Sequence, residues 1–154
     1  MINLERRKAL KTGGGLVLLG YLAAVGLVQS GTAWAERSKR AFEALTMDEA
    51  LDALGAVIPE SNAAIQLTAP EIAENGAIVP ITVASSFQRT EQIAILVDKN
   101  PTMLVANFII PEGTEGFITT RIKMAQTSSV IVLVKANGKF YRASQEVKVT
   151  AGGC

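Results

Sequence analysis

Beyond Pro59 the sequence stops offering helical periodicity and becomes a series of short runs rich in Val, Ile, Thr and Phe. Turn residues cut these runs about every 8–12 positions, a spacing that sandwiches and barrels share and that leaves no room for a crossover helix. Strands are expected at Ile65–Thr68, Ala77–Ala84, Gln92–Val97, Met103–Ile109, Gly116–Met124, Ser129–Lys135 and Lys139–Thr150, with breaks at "APEIAENG", "DKNPT", "PEGTEG" and "AQTSS". Asn137-Gly138 supplies the strongest turn signal, a two-residue hairpin in which both central residues take positive φ. The stretch "SVIVLVK" is apolar without alternation, as a strand covered on both faces must be, whereas "FITTRIKM" alternates and should keep one wet face. The fold class that follows is all-β: an immunoglobulin-like antiparallel β-sandwich of about seven strands. A barrel is the second choice. The Cys–Trp–Cys core of antibody domains is absent.

A short helical segment precedes the strands. Thr46 to Glu49 ("TMDE") has the form of a capping box. Met47, Ala50, Leu51 and Leu54 fall at i, i+3, i+4 and i+7 on one apolar face, and Gly55 is placed to stop the helix. Ala41, Phe42 and Leu45 suggest a shorter helix from about Ser38.

The N-terminus has a different purpose. "MINLERRKALKTGGG" is basic, Leu16 to Val28 is apolar, and Ala33-Trp34-Ala35 has the A-x-A form of a signal-peptidase site. The apolar run is shorter than the roughly 20 residues that a membrane span needs. Cleavage is therefore expected between Ala35 and Glu36, and the pair Arg6-Arg7 points to the twin-arginine route. That divides the chain into an export signal (1–35), a helical segment plus β-sandwich (36–149) and a flexible C-terminal arm (150–154), with a periplasmic destination. Arg6, Arg7, Lys8, Lys11 and Glu5 leave with the signal, so the 15 basic and 14 acidic side chains become a slight acidic excess. Such a balance gives no reason to expect nucleic acid as a partner, nor a membrane once the signal is gone.

The residues available for chemistry are few. There is no His and only one Cys. Zinc sites of Cys and His, and nucleophile–histidine pairs, are excluded, and no phosphate-binding loop sequence occurs. Glu71, Glu74, Glu112 and Glu115 sit in loops beside Pro and Gly and read as solvated turns, as Lys39-Arg40 and Arg121/Lys123 read as solvated faces. No catalytic group, metal ligand or cofactor is expected.

Cys154 remains. It follows Val147 and Val149, the last plausible core-facing pair, behind Thr150-Ala151-Gly152-Gly153. Gly152 and Gly153 have wide backbone freedom and suit a tether, and five extended residues span at most roughly 17 Å. No base or cation adjoins the thiol, and its own α-carboxylate should keep it near or above the ordinary value of about 8.5. An accessible, unactivated thiol suits an attachment point on which other enzymes act. The chain is then no enzyme itself. An exported interaction module whose cysteine only forms an intermolecular disulfide is the alternative.

With "PEIAENGAIVPITV" (Pro70 to Val83), "KNPTMLVANFIIP" and the final Gly-Gly-Cys, the mature sequence resembles the SoxY family, sulfur carriers of the thiosulfate-oxidising Sox system. Gly152, Gly153 and Cys154 match the first three positions of that family's Gly-Gly-Cys-Gly-Gly motif. Its last two glycines are not in this sequence. The resemblance implies an immunoglobulin-like sandwich paired with a smaller sandwich subunit, SoxZ, as a heterodimer. It also implies a cysteine that carries thiosulfate-derived substrate. A haem enzyme, SoxAX, would couple thiosulfate to Cys154 as an S-thiosulfonate. A manganese hydrolase, SoxB, would release sulfate, and a sulfane dehydrogenase or related route would process the remaining sulfur.

Overall fold

A computed structural model describes residues 39–153. Residues 39–43 are helical, and helix α1 spans Met47–Leu54. Nine strands follow: β1 (Glu60–Ser61), β2 (Ile65–Thr68), β3 (Ile72–Ala73), β4 (Val79–Ser85), β5 (Thr90–Val97), β6 (Leu104–Ile109), β7 (Gly116–Ile122), β8 (Ser128–Ala136) and β9 (Lys139–Val149). The larger sheet has the order β1-β9-β8-β5-β6, with β3 also against β9, and the smaller has the order β2-β4-β7. Two stacked sheets make a sandwich and rule out the closed barrel.

The seven long strands fall where turn chemistry and periodicity place them. Asn137 (φ 50°) and Gly138 (φ 75°) both take positive φ, as their hairpin requires. Two further strands lie outside the expected ones, the second of them within the expected break "APEIAENG". Glu60–Ser61 and Ile72–Ala73 each add two residues in parallel to β9, opposite Tyr141–Arg142 and Lys148–Val149 respectively. Two residues carry no periodicity, so such strands leave no trace in a sequence.

Alternate residues of the two sheets interdigitate. Val79, Ile81 and Val83 of β4 meet Ile93, Ile95 and Val97 of β5 and Val130, Val132 and Val134 of β8, all buried. The other faces of β5 and β8 are covered as well. Ala94, Leu96 and Leu133 pack under Ala41, Ala44, Ala50 and Ala56, with Met47, Leu51 and Leu54 alongside. This second cover is why "SVIVLVK" and "QIAILV" do not alternate. β7 does alternate between exposed and half-buried positions, because none of the described residues lies over its outer face.

The helical layer differs in one respect from expectation. Phe42 and Leu45 are 41% and 65% exposed, while Ala41 and Ala44 are buried. Close approach of backbone to sheet selects the small side chain, which hydrophobicity alone does not foresee. In α1 the capping box is complete: Glu49 N–H donates to Thr46 Oγ1, and Glu49 Oε2 accepts from Thr46 N–H. Gly55, at φ 72°, closes it in the left-handed region. No helix of the described residues is long and apolar enough to cross a membrane.

Candidate functional site: the root of the C-terminal arm

Cys154 lies outside the described residues, as do Arg6, Arg7, Ala35 and Glu36. The structure does describe the segment that delivers Cys154. β9 leaves the sheet at Val149, whose N–H donates to Thr127 Oγ1 at 2.9 Å. Lys148 N–H donates to the Glu71 carbonyl at 2.9 Å, and Thr150 N–H and Oγ1 both reach the Ala73 carbonyl, at 3.0 and 3.2 Å. The "PEIAENG" segment therefore runs beside the end of β9 as a rail.

The arm continues along that rail. The carbonyl of Ala151 accepts the Gly76 N–H at 2.7 Å, and Gly153 N–H donates to the Met124 carbonyl at 3.0 Å. Gly76 closes the circuit, accepting from Met124 N–H at 2.8 Å. A Cβ on Gly76 would overlap the Met124 carbonyl oxygen, one on Gly152 the Ala125 carbonyl oxygen, and one on Gly153 the backbone of Gly76 and Ala77. The reading of 150–154 as a free arm is thus corrected for Thr150–Gly153. In the structure these residues are docked on the body, and Gly152 and Gly153 serve close backbone approach. A missing Cβ permits both freedom and contact, so Gly-Gly alone does not distinguish them.

The other wall of the dock is held by one buried side chain. Asn100, 8% exposed, donates from Nδ2 to the Lys123 carbonyl (2.8 Å) and accepts the Ala125 N–H on Oδ1 (2.9 Å). It fixes both sides of Met124, to whose carbonyl Gly153 binds. Asn75 shapes the opposite wall, its Oδ1 accepting the Ala77 N–H at 2.9 Å. Sequence reasoning missed Asn100. Its only signal is an Asn before Pro101 in "DKNPT", which reads equally well as an ordinary turn.

Among the described residues no acid/base machinery surrounds this place. The loop carboxylates are exposed, Glu71 and Glu74 beside β3 and Glu112 and Glu115 in the turn between β6 and β7. Arg40 pairs with Asp52 at 4.0 Å on the surface, remote in role from the arm. Among the described residues no group of three or more His, Cys, Asp or Glu could hold a metal ion. What the arrangement offers is a short, backbone-bound segment, Thr150–Gly153, at the rim of the sandwich.

Comparison with known proteins identifies the family. The family described as sulfur oxidation protein SoxY matches residues 51–154, more than half of the chain and including its end. Among solved structures, the sulfur carrier protein SoxY from Chlorobium limicola f thiosulfatophilum is 42% identical. It superposes with a TM-score of 0.60 over 67% of this chain and 94% of that one. A superoxide reductase (neelaredoxin) from Ignicoccus hospitalis is 18% identical, with a TM-score of 0.49 over 69% and 94%. No curated protein matches the chain. With a family match over residues 51–154 and a sandwich that superposes on a solved SoxY, the chain belongs to the SoxY family of sulfur oxidation proteins.

Proposed function

We propose that this protein is the covalent sulfur-substrate carrier subunit of a periplasmic thiosulfate-oxidising system, with Cys154 as the attachment point. The observation that carries the reading is the family match through residue 154, which includes the protein's one thiol, on a chain whose described residues hold no catalytic constellation.

The chemistry is set by partners acting on the thiol. Joining thiosulfate to Cys154 forms an S–S bond, giving the S-thiosulfonate Cys–S–S–SO3⁻. The thiol proton and two electrons are lost, the electrons passing to a haem enzyme of the SoxAX kind. Water then cleaves the terminal S–SO3 bond, which releases sulfate and a proton and leaves a cysteine persulfide; a manganese hydrolase of the SoxB kind performs this step. A sulfane-oxidising enzyme consumes the outer sulfur. A SoxZ-like β-sandwich subunit completes the carrier as a heterodimer, and the twin-arginine signal at Arg6-Arg7, cleaved between Ala35 and Glu36, brings it to the periplasm.

The docked arm suits this sequence of visits. Beyond Thr150 the arm is held by two backbone hydrogen bonds, at Ala151 and Gly153, each contributing about 1 kcal/mol net. Release therefore costs about 2 kcal/mol, an opening that a few per cent of molecules show at any moment and that an enzyme's cleft can offset. Intact-mass measurement on protein isolated from cells oxidising thiosulfate tests the proposal. Adducts of thiosulfate or sulfane mass on Cys154 are expected, and none in a Cys154→Ser variant, which should also stop thiosulfate oxidation. An unmodified thiol in cells that consume thiosulfate would refute it.

A further inference from the structure

Asn75 and Asn137 are the two asparagines of the sequence that precede a glycine. Asparagine is chemically labile, and most so before glycine, because no Cβ hinders the following main-chain nitrogen as it approaches the side-chain carbonyl carbon. At the first of these sites Asn75 is exposed while Gly76 is buried. Asn75 Oδ1 accepts the Ala77 N–H at 2.9 Å, an Asx turn that folds the carboxamide back across the Gly76 peptide.

The arm restrains the nitrogen of Gly76. Its N–H donates to the Ala151 carbonyl at 2.7 Å, and its carbonyl accepts the Met124 N–H at 2.8 Å. Gly153 lies so close that a Cβ on it would overlap the main chain of Gly76 and Ala77. To attack, the nitrogen must give up its proton and its peptide must turn toward the Asn75 Cγ. A proton held by Ala151 and a peptide clamped between Met124 and Gly153 permit neither. Asn137 is restrained independently of the arm. It lies in an exposed hairpin at the opposite end of the 11-residue β9, where the Gly138 N–H donates to the Glu91 carboxylate at 3.1 Å.

We propose that Asn75 is a self-modification site gated by the arm: it deamidates when Ala151–Gly153 leave the body and is protected while they are docked. The released Gly76 nitrogen forms a bond to the Asn75 Cγ and loses its proton; the Cγ–Nδ2 bond breaks, ammonia departs and a succinimide ring remains. Water opens the ring at either carbonyl, giving aspartate or isoaspartate. No electrons are exchanged, and the net change consumes water and releases ammonia. Aspartate retains an oxygen for the Ala77 N–H. Isoaspartate inserts a methylene into the main chain between the Ala73 carbonyl that holds Thr150 and the Gly76 N–H that holds Ala151. The two seats then no longer match, and a transient opening becomes a lasting release. Such gating needs only the docked geometry and is independent of the carrier reading. The hydrogen bonds at Ala151 and Gly153 leave the arm open in a few per cent of molecules, so docking slows the reaction roughly thirtyfold.

Peptide mapping of the purified protein, incubated at mildly alkaline pH with Cys154 kept reduced, counts aspartate and isoaspartate at both sites. Gly152→Ala/Gly153→Ala leaves the chain at full length and Asn75-Gly76 intact, yet gives the arm side chains that collide with the Ala125 carbonyl and with Gly76 and Ala77. In that variant deamidation at Asn75 should accelerate roughly thirtyfold, deuterium exchange at the Gly76 amide should accelerate by the same factor, and the rate at Asn137 should not change. Gly153→Pro lacks the N–H bonded to Met124 and takes the place of the double change should that protein fail to fold. A synthetic peptide spanning Pro70 to Pro80 should react at least as fast as the undocked protein. The isoaspartate form, separated by ion exchange, should exchange its Gly153 amide faster than the intact protein, whereas Asn75→Asp should keep that exchange slow. Equal rates at Asn75 in docked and undocked proteins overturn the proposal. So does an acceleration that Asn137 shares, since general loosening would then be the cause. An isoaspartate form whose Gly153 stays protected refutes the lasting release.

Discussion

Gly76 stands where three backbone segments meet: its N–H donates to Ala151, its carbonyl accepts from Met124, and Gly153 lies against its main chain. The residue is buried, and any side chain there must displace either the Met124 carbonyl or the arm. Gly76→Ala should therefore undock the arm without altering it. Amide hydrogen exchange at Gly153 should quicken by at least tenfold, the thiol of Cys154 should react faster with an aromatic disulfide, and stability should fall by about 1–3 kcal/mol, the usual range for overpacking. Unchanged exchange at Gly153 would show that the arm is not held through Gly76. Asn100 makes a complementary case. Asn100→Ala leaves the Lys123 carbonyl and the Ala125 N–H without partners in a buried place, at about 1–3 kcal/mol for each group that water does not reach. Urea denaturation should register that loss, with Gly153 protection falling in step because Met124 lies between the two anchored groups. Neither role is legible in the sequence. "NG" and "NP" name turns, and what those turns grip lies far along the chain.

Among elements, α1 illustrates how local signals and tertiary packing divide the work. Its eight residues are too few for a stable isolated helix in water. The capping box and the left-handed Gly55 fix where it starts and stops, and both are readable from "TMDE" and from the glycine. Thr46→Ala removes one cap bond at an exposed terminus and should cost about 1 kcal/mol. Leu133→Ala acts on the other contribution. Leu133 is fully buried beneath the helical layer, so truncation leaves a cavity between layer and sheet and should cost about 2–5 kcal/mol. Thermal unfolding separates the two, with a fall of a few degrees for Thr46→Ala and of roughly 10 °C or more for Leu133→Ala. Equal shifts would mean that the helix is held by its caps and not by the sheet beneath. The long strands were readable for a related reason. Each has enough residues to show whether one face or both are covered, whereas β1 and β3 exist only through their pairing with β9.

At the largest scale the described residues form three layers, helices over a six-stranded sheet over a three-stranded one, and Thr150–Gly153 belong to none of them. β9 hands its last residue to the rail, Gln145 Nε2 ties it to the Ala69 carbonyl at 2.9 Å, and the core closes at Val147 and Val149. Ala151 and Gly152 lie exposed beyond that closure. A chain truncated after Thr150 should therefore fold completely. It loses the hydrogen bonds at Ala151 and Gly153, about 2 kcal/mol in all, because water can replace them for Gly76 and Met124 once the arm is gone. Removing residues 39–57 instead uncovers Ala94, Leu96, Leu104 and Leu133, all buried, and should yield a protein that binds hydrophobic dyes and aggregates. Urea unfolding of the two truncations provides the comparison. A chain ending at Thr150 that keeps its unfolding cooperativity and most of its stability would show that the arm is carried by the fold without helping to build it. A collapse of stability as deep as that of the helix-deleted chain would mean that the last residues are structural, and that undocking Ala151–Gly153 costs far more than their two hydrogen bonds.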